Sequence, residues 1–267
     1  MKSSGKLSED TAAKGLDSGS DLLEVVNITK RFGAVTAIDE VCLRVNPNEI
    51  VGLVGANGAG KSTLINILSG VAQPDDGELR IEGSLVHLEN PMDARLVGIE
   101  TVYQDLALLN ELDVTANIFM GRELCHNTLG VQWLSEKEMR NKAEELIDTL
   151  GYDFNPASPV RFLSGGQRQS VALARALYAK AKIILMDEPT AALGVEETQR
   201  TLDLIRKFRD QGISLLVVSH ELEDIFAITD RIVVMKNGRA VSDLSTQCTT
   251  HDEIASLMMR GEEKSII

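Results

Sequence analysis

The feature that most constrains the fold is a glycine-rich loop, GANGAGKST at residues 55–63, which follows a short apolar run. The run, IVGLV at residues 50–54, predicts a buried strand, and LINIL at residues 64–68 predicts a helix directly after the loop. Strand, loop and helix in this order bring backbone N–H groups and a helix N-terminus to one point. Because such a point binds phosphate, the sequence predicts a nucleoside triphosphate site.

The residues of this loop have distinct predicted roles. Lys61 is expected to reach the β- and γ-phosphates of the nucleotide, and the Ser62 hydroxyl is expected to ligate Mg²⁺. The glycines let the backbone approach the phosphate oxygens closely. The predicted nucleotide-binding residues of the loop are Gly55, Asn57, Gly58, Ala59, Gly60, Lys61, Ser62 and Thr63.

A pair of acidic residues forms the second candidate feature. Asp187 and Glu188 follow the apolar run at residues 183–186, at the end of a predicted strand. Ligands bind at this end of the strands in open parallel sheets. Asp187 suits the Mg²⁺ shell, and Glu188 suits a base that polarises the attacking water. Alone, such a pair is often part of a solvated loop, but beside a phosphate loop it predicts nucleotide hydrolysis.

Helices and strands alternate in the second half of the chain. The predicted elements are helices at 166–180, 196–210 and 221–228, and strands at 183–186, 213–218 and 232–235. This alternation, with apolar strands, is typical of the α/β class with a mostly parallel sheet covered on both faces. Residues 1–22 are polar and without apolar periodicity, which predicts a disordered tail.

Composition and charge exclude several classes of function. The 27 Lys and Arg against 40 Asp and Glu give a net charge of −13, which argues against nucleic acid or an anionic lipid surface as the main partner. The apolar runs are shorter than the roughly 18 residues of a membrane span, and the N-terminus does not read as a signal peptide. The three cysteines are isolated, which predicts a reducing compartment and small buried thiols.

Five motifs, in this order along the chain, resemble those of the ATPase subunits of ABC transporters. They are the phosphate loop at residues 55–63, Gln104 in VYQD, LSGGQRQ at residues 163–169, the pair Asp187-Glu188, and His220 in VVSHE. The resemblance covers about residues 24–240. It implies a P-loop NTPase (RecA-like) core with a mostly parallel sheet and a small antiparallel β part. It also implies an ATPase domain at residues 23–267 with a helical subdomain inserted at 104–178.

The resemblance implies that two copies meet head to tail. In such ATPases each ATP lies between the phosphate loop of one copy and the signature motif of the other. The signature residues implied here are Ser164, Gly165, Gly166 and Gln167. A Ser-Gly-Gly turn at a helix start is itself a plausible anion site. Without the resemblance, however, these residues are explained as a helix cap.

Three further residues take their roles from the resemblance. Gln104 is implied to touch Mg²⁺ and water and to link the core to the helical subdomain. His220 is implied to contact the γ-phosphate, and Phe32 to stack on adenine. Each of the last two has a plainer alternative, a structural histidine and a phenylalanine packed in the β part. The implied catalytic residues are Lys61, Gln104, Glu188 and His220, and the implied metal ligands are Ser62, Gln104 and Asp187.

One position departs from the family pattern. Thr190 is followed by Ala-Ala-Leu-Gly, where the family usually has Ser-x-Leu-Asp, so Gly194 replaces an aspartate that helps couple the two sites. This departure motivates one alternative function, a nucleotide-binding regulatory subunit with little turnover. A second alternative is a non-transport ABC ATPase of DNA repair or translation, which predicts a basic surface or long insertions that this chain lacks.

Three phrases are similar to the ATPases of monosaccharide importers. They are NGAGK at residues 57–61, TAALGV at 190–195 and SHELEDIF at 219–226. The chain holds a single ATPase half, so the resemblance implies a homodimer under a transmembrane permease, served indirectly by a sugar-binding protein. It further implies a peripheral location on the cytoplasmic face of the inner membrane and no nucleic-acid partner.

Overall fold

The computed structural model describes residues 21–128, 131–191 and 193–260. The strands in these ranges are β1 (Leu23–Phe32), β2 (Val35–Val45), β3 (Ile50–Val54), β4 (Asp76–Ile81), β5 (Ser84–Val86), β6 (Ile99–Val102), β7 (Cys125–Thr128), β8 (Val131–Leu134), β9 (Ile183–Asp187), β10 (Ser214–Val218), β11 (Arg231–Lys236) and β12 (Arg239–Ser245). The α-helices are α1 (Lys61–Leu68), α2 (Pro91–Leu96), α3 (Val114–Phe119), α4 (Glu136–Thr149), α5 (Gly165–Tyr178), α6 (Val195–Asp210), α7 (Leu222–Ile228) and α8 (His251–Arg260). Short 3₁₀ turns lie at Val160–Phe162 and Thr246–Cys248.

The larger sheet confirms the predicted parallel architecture. Its strand order is β12-β11-β3-β10-β9-β6. All neighbours from β11 to β6 run parallel, and β12 pairs with β11 antiparallel. Every residue of β3 and β10 is buried, because the apolar side chains of these strands pack on both faces of the sheet.

A smaller antiparallel sheet, in the order β2-β1-β4-β5, forms the N-terminal β part. Helix α1 lies between the two sheets and contacts β2 of one and β9 of the other. Its residues Leu64, Ile65 and Leu68 are fully buried. Because α1 packs against both sheets, the C-terminal end of the phosphate loop is held in place.

Helices α3, α4 and α5 pack against one another within the stretch predicted as a helical subdomain, residues 104–178. The side chains of Met139, Ala143 and Ile147 on α4 are buried there. The same stretch contains the β7–β8 hairpin, which the sequence did not predict. The division of the chain into an ATPase domain and an inserted subdomain stays a prediction.

The chain ends are described in part. Residues 1–20 of the predicted tail and residues 261–267 of the predicted domain lie outside the described residues. At the tail's last position, Leu22 is buried and its N–H donates to the carbonyl of Val45 at 2.9 Å. Within the described ranges, every helix is too short or too polar to span a bilayer.

The expectation of three buried cysteines is wrong. Cys125 and Cys248 are exposed, and Cys42 is half-buried. The thiol of Cys42 lies 3.1 Å from the side-chain oxygen of Asn27, so it takes part in a polar contact at the edge of the smaller sheet. Cys125 and Cys248 lie in a hairpin strand and a 3₁₀ turn, which the sequence did not predict and which bury little of their side chains.

Candidate active site

The site forms where three neighbouring strands of the larger sheet end. β3 leads into the phosphate loop, β9 ends at Asp187, and β10 leads to Ser219 and His220. These strands are adjacent and parallel, in the order β3-β10-β9, so their carboxyl ends share one edge. The backbone N–H of Glu188 donates to the carbonyl of Val218 at 2.9 Å, which continues the pairing beyond the strands.

The backbone of the phosphate loop packs closely on its surroundings. A Cβ built at Gly55 would lie 2.4 Å from the carbonyl oxygen of Met235, and one built at Gly60 would lie 2.7 Å from that of Ala37. The outer part of the loop is exposed at Ala56, Asn57 and Gly58. Gly60 caps α1 without a side-chain hydrogen bond, so the first N–H groups of the helix remain able to bind an anion.

We expect the Gly60→Ala substitution to lower the free energy of unfolding by about 1–3 kcal/mol. The φ of Gly60 is 104°, a conformation that alanine rarely adopts, and the new Cβ would also press on the Ala37 carbonyl. The matched control is Gly58→Ala, where φ is 81° but no atom lies within 4 Å of the new Cβ. Urea denaturation measures both variants. Equal losses at the two positions would contradict the close contact at Gly60.

The side chain of Lys61 folds back toward the start of the phosphate loop. Its Nζ donates to the carbonyls of Gly55 at 2.7 Å and Ala56 at 3.2 Å, and the residue is buried. Burial lowers the pKa of Lys61, and the nearby charges of Glu188 and Asp187 oppose this shift. Burial also raises the pKa of Asp187, as does Glu188, while Lys61 lowers it. The site therefore holds one buried cation against two neighbouring carboxylates.

Glu188 is the point at which three of the predicted catalytic residues meet. The side-chain amide of Gln104 donates to its Oε2 at 3.3 Å, and Nδ1 of His220 lies 3.1 Å from its Oε1. The other ring nitrogen of His220 lies 3.3 Å from Oε1 of Glu221. The backbone of Glu188 has φ of 51°, a conformation that costs a non-glycine residue free energy.

The signature motif forms the N-terminal cap of α5. The hydroxyl of Ser164 accepts a hydrogen bond from the N–H of Gln167 at 3.2 Å, and the N–H of Ser164 donates to Oε1 of Gln167 at 2.9 Å. This reciprocal pair is a capping box, so the helix-cap interpretation of these residues is confirmed. Ser164 and Gly165 are exposed, whereas Gly166 is buried. Their contact with a nucleotide on a second copy stays a prediction.

Phe32 lies at the end of β1, beside the turn into β2. Its side chain is 55% exposed, and Nζ of Lys30 lies 5.5 Å from the ring centre. The alternative of a phenylalanine packed inside the smaller sheet is therefore wrong. Stacking of this ring on adenine stays a prediction.

We expect Phe32→Ala to weaken ATP binding up to about tenfold, because the substitution removes the aromatic face. Phe32→Tyr keeps that face and is expected to bind as the wild type does. Titration with a fluorescent ATP analogue measures both. An unchanged dissociation constant for Phe32→Ala would show that the ring does not contact the base.

Two contacts around the site were not predicted. The guanidinium of Arg175, on α5, donates to the carbonyls of Leu106 and Ala107 at 3.1 and 3.2 Å, just after Gln104. Leu106 and Ala107 have φ of 58° and 45°, so the arginine holds a strained turn in place. The hydroxyl of Thr190 donates to Asp224 on α7 at 2.6 Å. Both contacts join segments far apart in the chain, and no local pattern marks them.

Comparison with known proteins identifies the family. A family model described as ABC transporter matches residues 38–191. The chain belongs to the ABC transporter family. This confirms the family that the five motifs predicted.

The ABC transporter relatives include sugar-import proteins. The xylose/arabinose import ATP-binding protein XylG of Sulfolobus acidocaldarius is 45% identical over 90% of this chain and 94% of its own length. The fructose import ATP-binding protein FrcA of Rhizobium meliloti is 40% identical over 91% of this chain and 95% of its own length. The ribose import ATP-binding protein RbsA 2 of Escherichia coli O157:H7 is 39% identical, and the chain spans 47% of that protein.

Solved structures of ABC ATP-binding cassettes confirm the fold class. A nucleotide-free cassette from an ABC transporter superposes with a TM-score of 0.77 and 28% identity over 89% of this chain and 95% of its own. A dimeric cassette in a post-hydrolysis state, bound to ADP and phosphate, superposes with a TM-score of 0.72 and 27% identity over 84% of this chain and 98% of its own. The chain therefore has the P-loop ATPase fold of a nucleotide-binding cassette.

Proposed function

We propose that this chain is the ATP-hydrolysing subunit of an ABC importer that takes up a monosaccharide through a partner permease. The observation that carries the proposal is the placement of Glu188 between Gln104 and His220, beside Asp187 and the buried Lys61. This arrangement supplies a base, groups that orient it, and a cation for the phosphates. The import of xylose or arabinose, fructose and ribose by the relatives supports the sugar as cargo.

Each side chain of the site has its own role in hydrolysis. Lys61 and the N–H groups at the start of α1 bind the phosphates of ATP and offset the charge that builds up in the transition state. Glu188 accepts the proton of the attacking water, and Gln104 and His220 hold its two oxygens in place. In this scheme His220 also lies within reach of the γ-phosphate once ATP is bound.

Mg²⁺ fits the oxygen donors that the site offers. Ser62 is exposed at the start of α1. Asp187 is a partly buried carboxylate, and burial raises its pKa. A cation bound beside Asp187 would favour the ionised form of this carboxylate. Ser62, Asp187 and the side-chain oxygen of Gln104 are hard ligands of the kind Mg²⁺ takes alongside phosphate. When bound, the ion would neutralise phosphate charge.

The complete site needs a second copy of the chain. The signature residues 164–167 cap α5 at an exposed turn, and we propose that this turn meets ATP bound at Lys61 of the partner copy. A homodimer has two such sites and binds a permease pair at the cytoplasmic face of the membrane. The net charge of −13 is consistent with a protein contact there rather than an anionic lipid surface.

A regulatory subunit with little turnover is the second candidate, and Gly194 is the observation that favours it. Two assays distinguish the two candidate functions. The first measures ATP hydrolysis by the purified chain, alone and with its permease in vesicles, and the second measures uptake of labelled xylose, arabinose, fructose and ribose by those vesicles. We expect ATP-dependent uptake of one sugar, with turnover that rises in the complex. Absence of turnover in both states would overturn the ATPase proposal. Turnover without uptake of any of the four would overturn the sugar assignment alone.

A further inference from the structure

The segment that carries Gly194 packs directly on the signature turn. A Cβ built at Gly165 would contact Cδ2 of Leu193 at 3.6 Å, and one built at Gly166 would lie 2.8 Å from Cγ of Glu197, on the first turn of α6. The Glu197 side chain thus crosses the face of Gly166, which is buried beneath it. Glu197 therefore packs directly against the signature turn.

The carboxylate of Glu197 lies at the place that the missing aspartate side chain would enter. A Cβ built at Gly194 would lie 2.6 Å from Oε2 of Glu197 and 3.8 Å from its Cδ. Gly194 itself has φ of −72° and ψ of 165°, a conformation open to any residue, so the backbone does not demand glycine here. What fills the space beside residue 194 is the acid of Glu197.

Glu197 and its neighbour Glu196 differ in the contacts that their carboxylates make. Glu196 pairs with Arg200 at 2.7 Å one turn along α6. Among the described residues, the Glu197 carboxylate has no hydrogen bond or ion pair, and it does not cap the helix although it occupies the third position of α6. It is half-buried and lies near the hydroxyl of Tyr152, whose pKa is raised by burial and, to a lesser degree, by Glu197. Within the part of the chain that the structure describes, its carboxylate oxygens therefore have no hydrogen-bond donor.

We propose that Glu197 supplies from α6 the carboxylate that Gly194 lacks, and that it links the two nucleotide sites of the dimer. In the head-to-tail arrangement, the signature turn faces the phosphate loop of the second copy. Glu197 lies against that turn, and the exposed Asn57-Gly58 segment of the opposite loop offers amide and backbone N–H donors to its carboxylate. Glu197 is thus a positioning residue, which acts through the opposite phosphate loop. This inference rests on the proposed function, because it needs the ATP-bound dimer.

Glutamine at position 197 separates the charge of Glu197 from its packing. It has nearly the same shape as glutamate and covers Gly166 equally. We expect Glu197→Gln to lower kcat for ATP by about tenfold, with KM changed less than about twofold, because the charged hydrogen bond forms only in the closed dimer. Glu196→Gln is the matched control on the same turn and is expected to keep the wild-type kcat.

A double variant tests whether an aspartate at position 194 can replace the carboxylate of Glu197. Glu197→Ala opens space beside residue 194, and Gly194→Asp then places a carboxylate there. We expect the Gly194→Asp/Glu197→Ala double variant to recover at least half of the wild-type kcat, whereas Glu197→Ala alone stays as slow as Glu197→Gln. Thermal unfolding of all the variants separates these effects from loss of fold.

The outcomes distinguish this inference from the proposed function. If wild type hydrolyses ATP while Glu197→Gln retains its kcat, or while the double variant is no faster than Glu197→Ala, the role of Glu197 is overturned and the ATPase proposal stands. If the wild type itself shows no turnover, alone or with permease, the proposed function fails and the inference fails with it.

Discussion

Glu188→Gln is expected to lower ATP turnover by at least about a hundredfold and leave ATP binding intact. Glutamine preserves the size of the side chain and one oxygen to face Gln104 or His220, but it cannot accept the proton of the attacking water. ATP would then remain bound, and the closed dimer would accumulate. Phosphate release measures the turnover, and size-exclusion chromatography with ATP and Mg²⁺ measures the dimer.

The matched control for this variant is Glu221→Gln. Glu221 is the other carboxylate that faces His220, at 3.3 Å, and it is exposed. We expect this control to hydrolyse ATP within a few-fold of wild type. If Glu188→Gln kept wild-type turnover, the base would lie elsewhere. If it eluted only as a monomer with ATP, the head-to-tail dimer would be contradicted.

Lys61→Ala has the second large expected effect, a loss of ATP binding and of turnover by more than about a hundredfold. The substitution removes the buried ammonium that neutralises the phosphates and that faces Asp187 and Glu188. The fold is expected to survive, because a cation whose pKa is lowered by burial contributes less stability than its contacts imply. Isothermal titration with ATP measures binding, and urea denaturation measures the fold.

The control for Lys61→Ala is Lys182→Ala, at the opposite end of β9. Lys182 is exposed and pairs with Glu82 at 2.7 Å, far from the carboxyl edge of the sheet. ATP binding by the control is expected to match the wild type. Equal ATP affinity of Lys61→Ala and wild type would contradict the phosphate role of Lys61.

The strands that could be predicted from the sequence are those whose own residues are mostly apolar. β3, β9 and β10 are nearly continuous apolar runs, because each is covered on both faces. β6 was not predicted, since its four residues include Glu100. That carboxylate is buried and pairs with Arg122 and Arg95. The two arginines allow a charged residue to lie in a core strand, and the apolar pattern did not reveal this strand.

The candidate site divides in the same way. The phosphate loop was predicted from local residues, because its chemistry needs only a strand, glycines and a helix start. The contacts of Glu188 with Gln104 and His220 join residues 84 and 32 positions apart, and the sequence did not predict them. Only the family resemblance marked Gln104 and His220 as functional residues. Glu197 is near Gly194 because the two residues share the first turn of α6. Its contact with Gly166 joins the starts of two different helices, and no local pattern in the sequence marks it.

In the proposed dimer two copies close head to tail, so that each phosphate loop faces the signature turn of the other. Cross-linking tests it most directly. Asn57→Cys and Ser164→Cys are made separately in a Glu188→Gln chain whose three native cysteines are replaced by serine. We expect the mixed variants to form a disulfide-linked dimer with ATP and Mg²⁺. Neither variant alone is expected to form one, and no dimer is expected without ATP. Disulfides between two copies of the same variant, or no cross-link in the mixture, would contradict it.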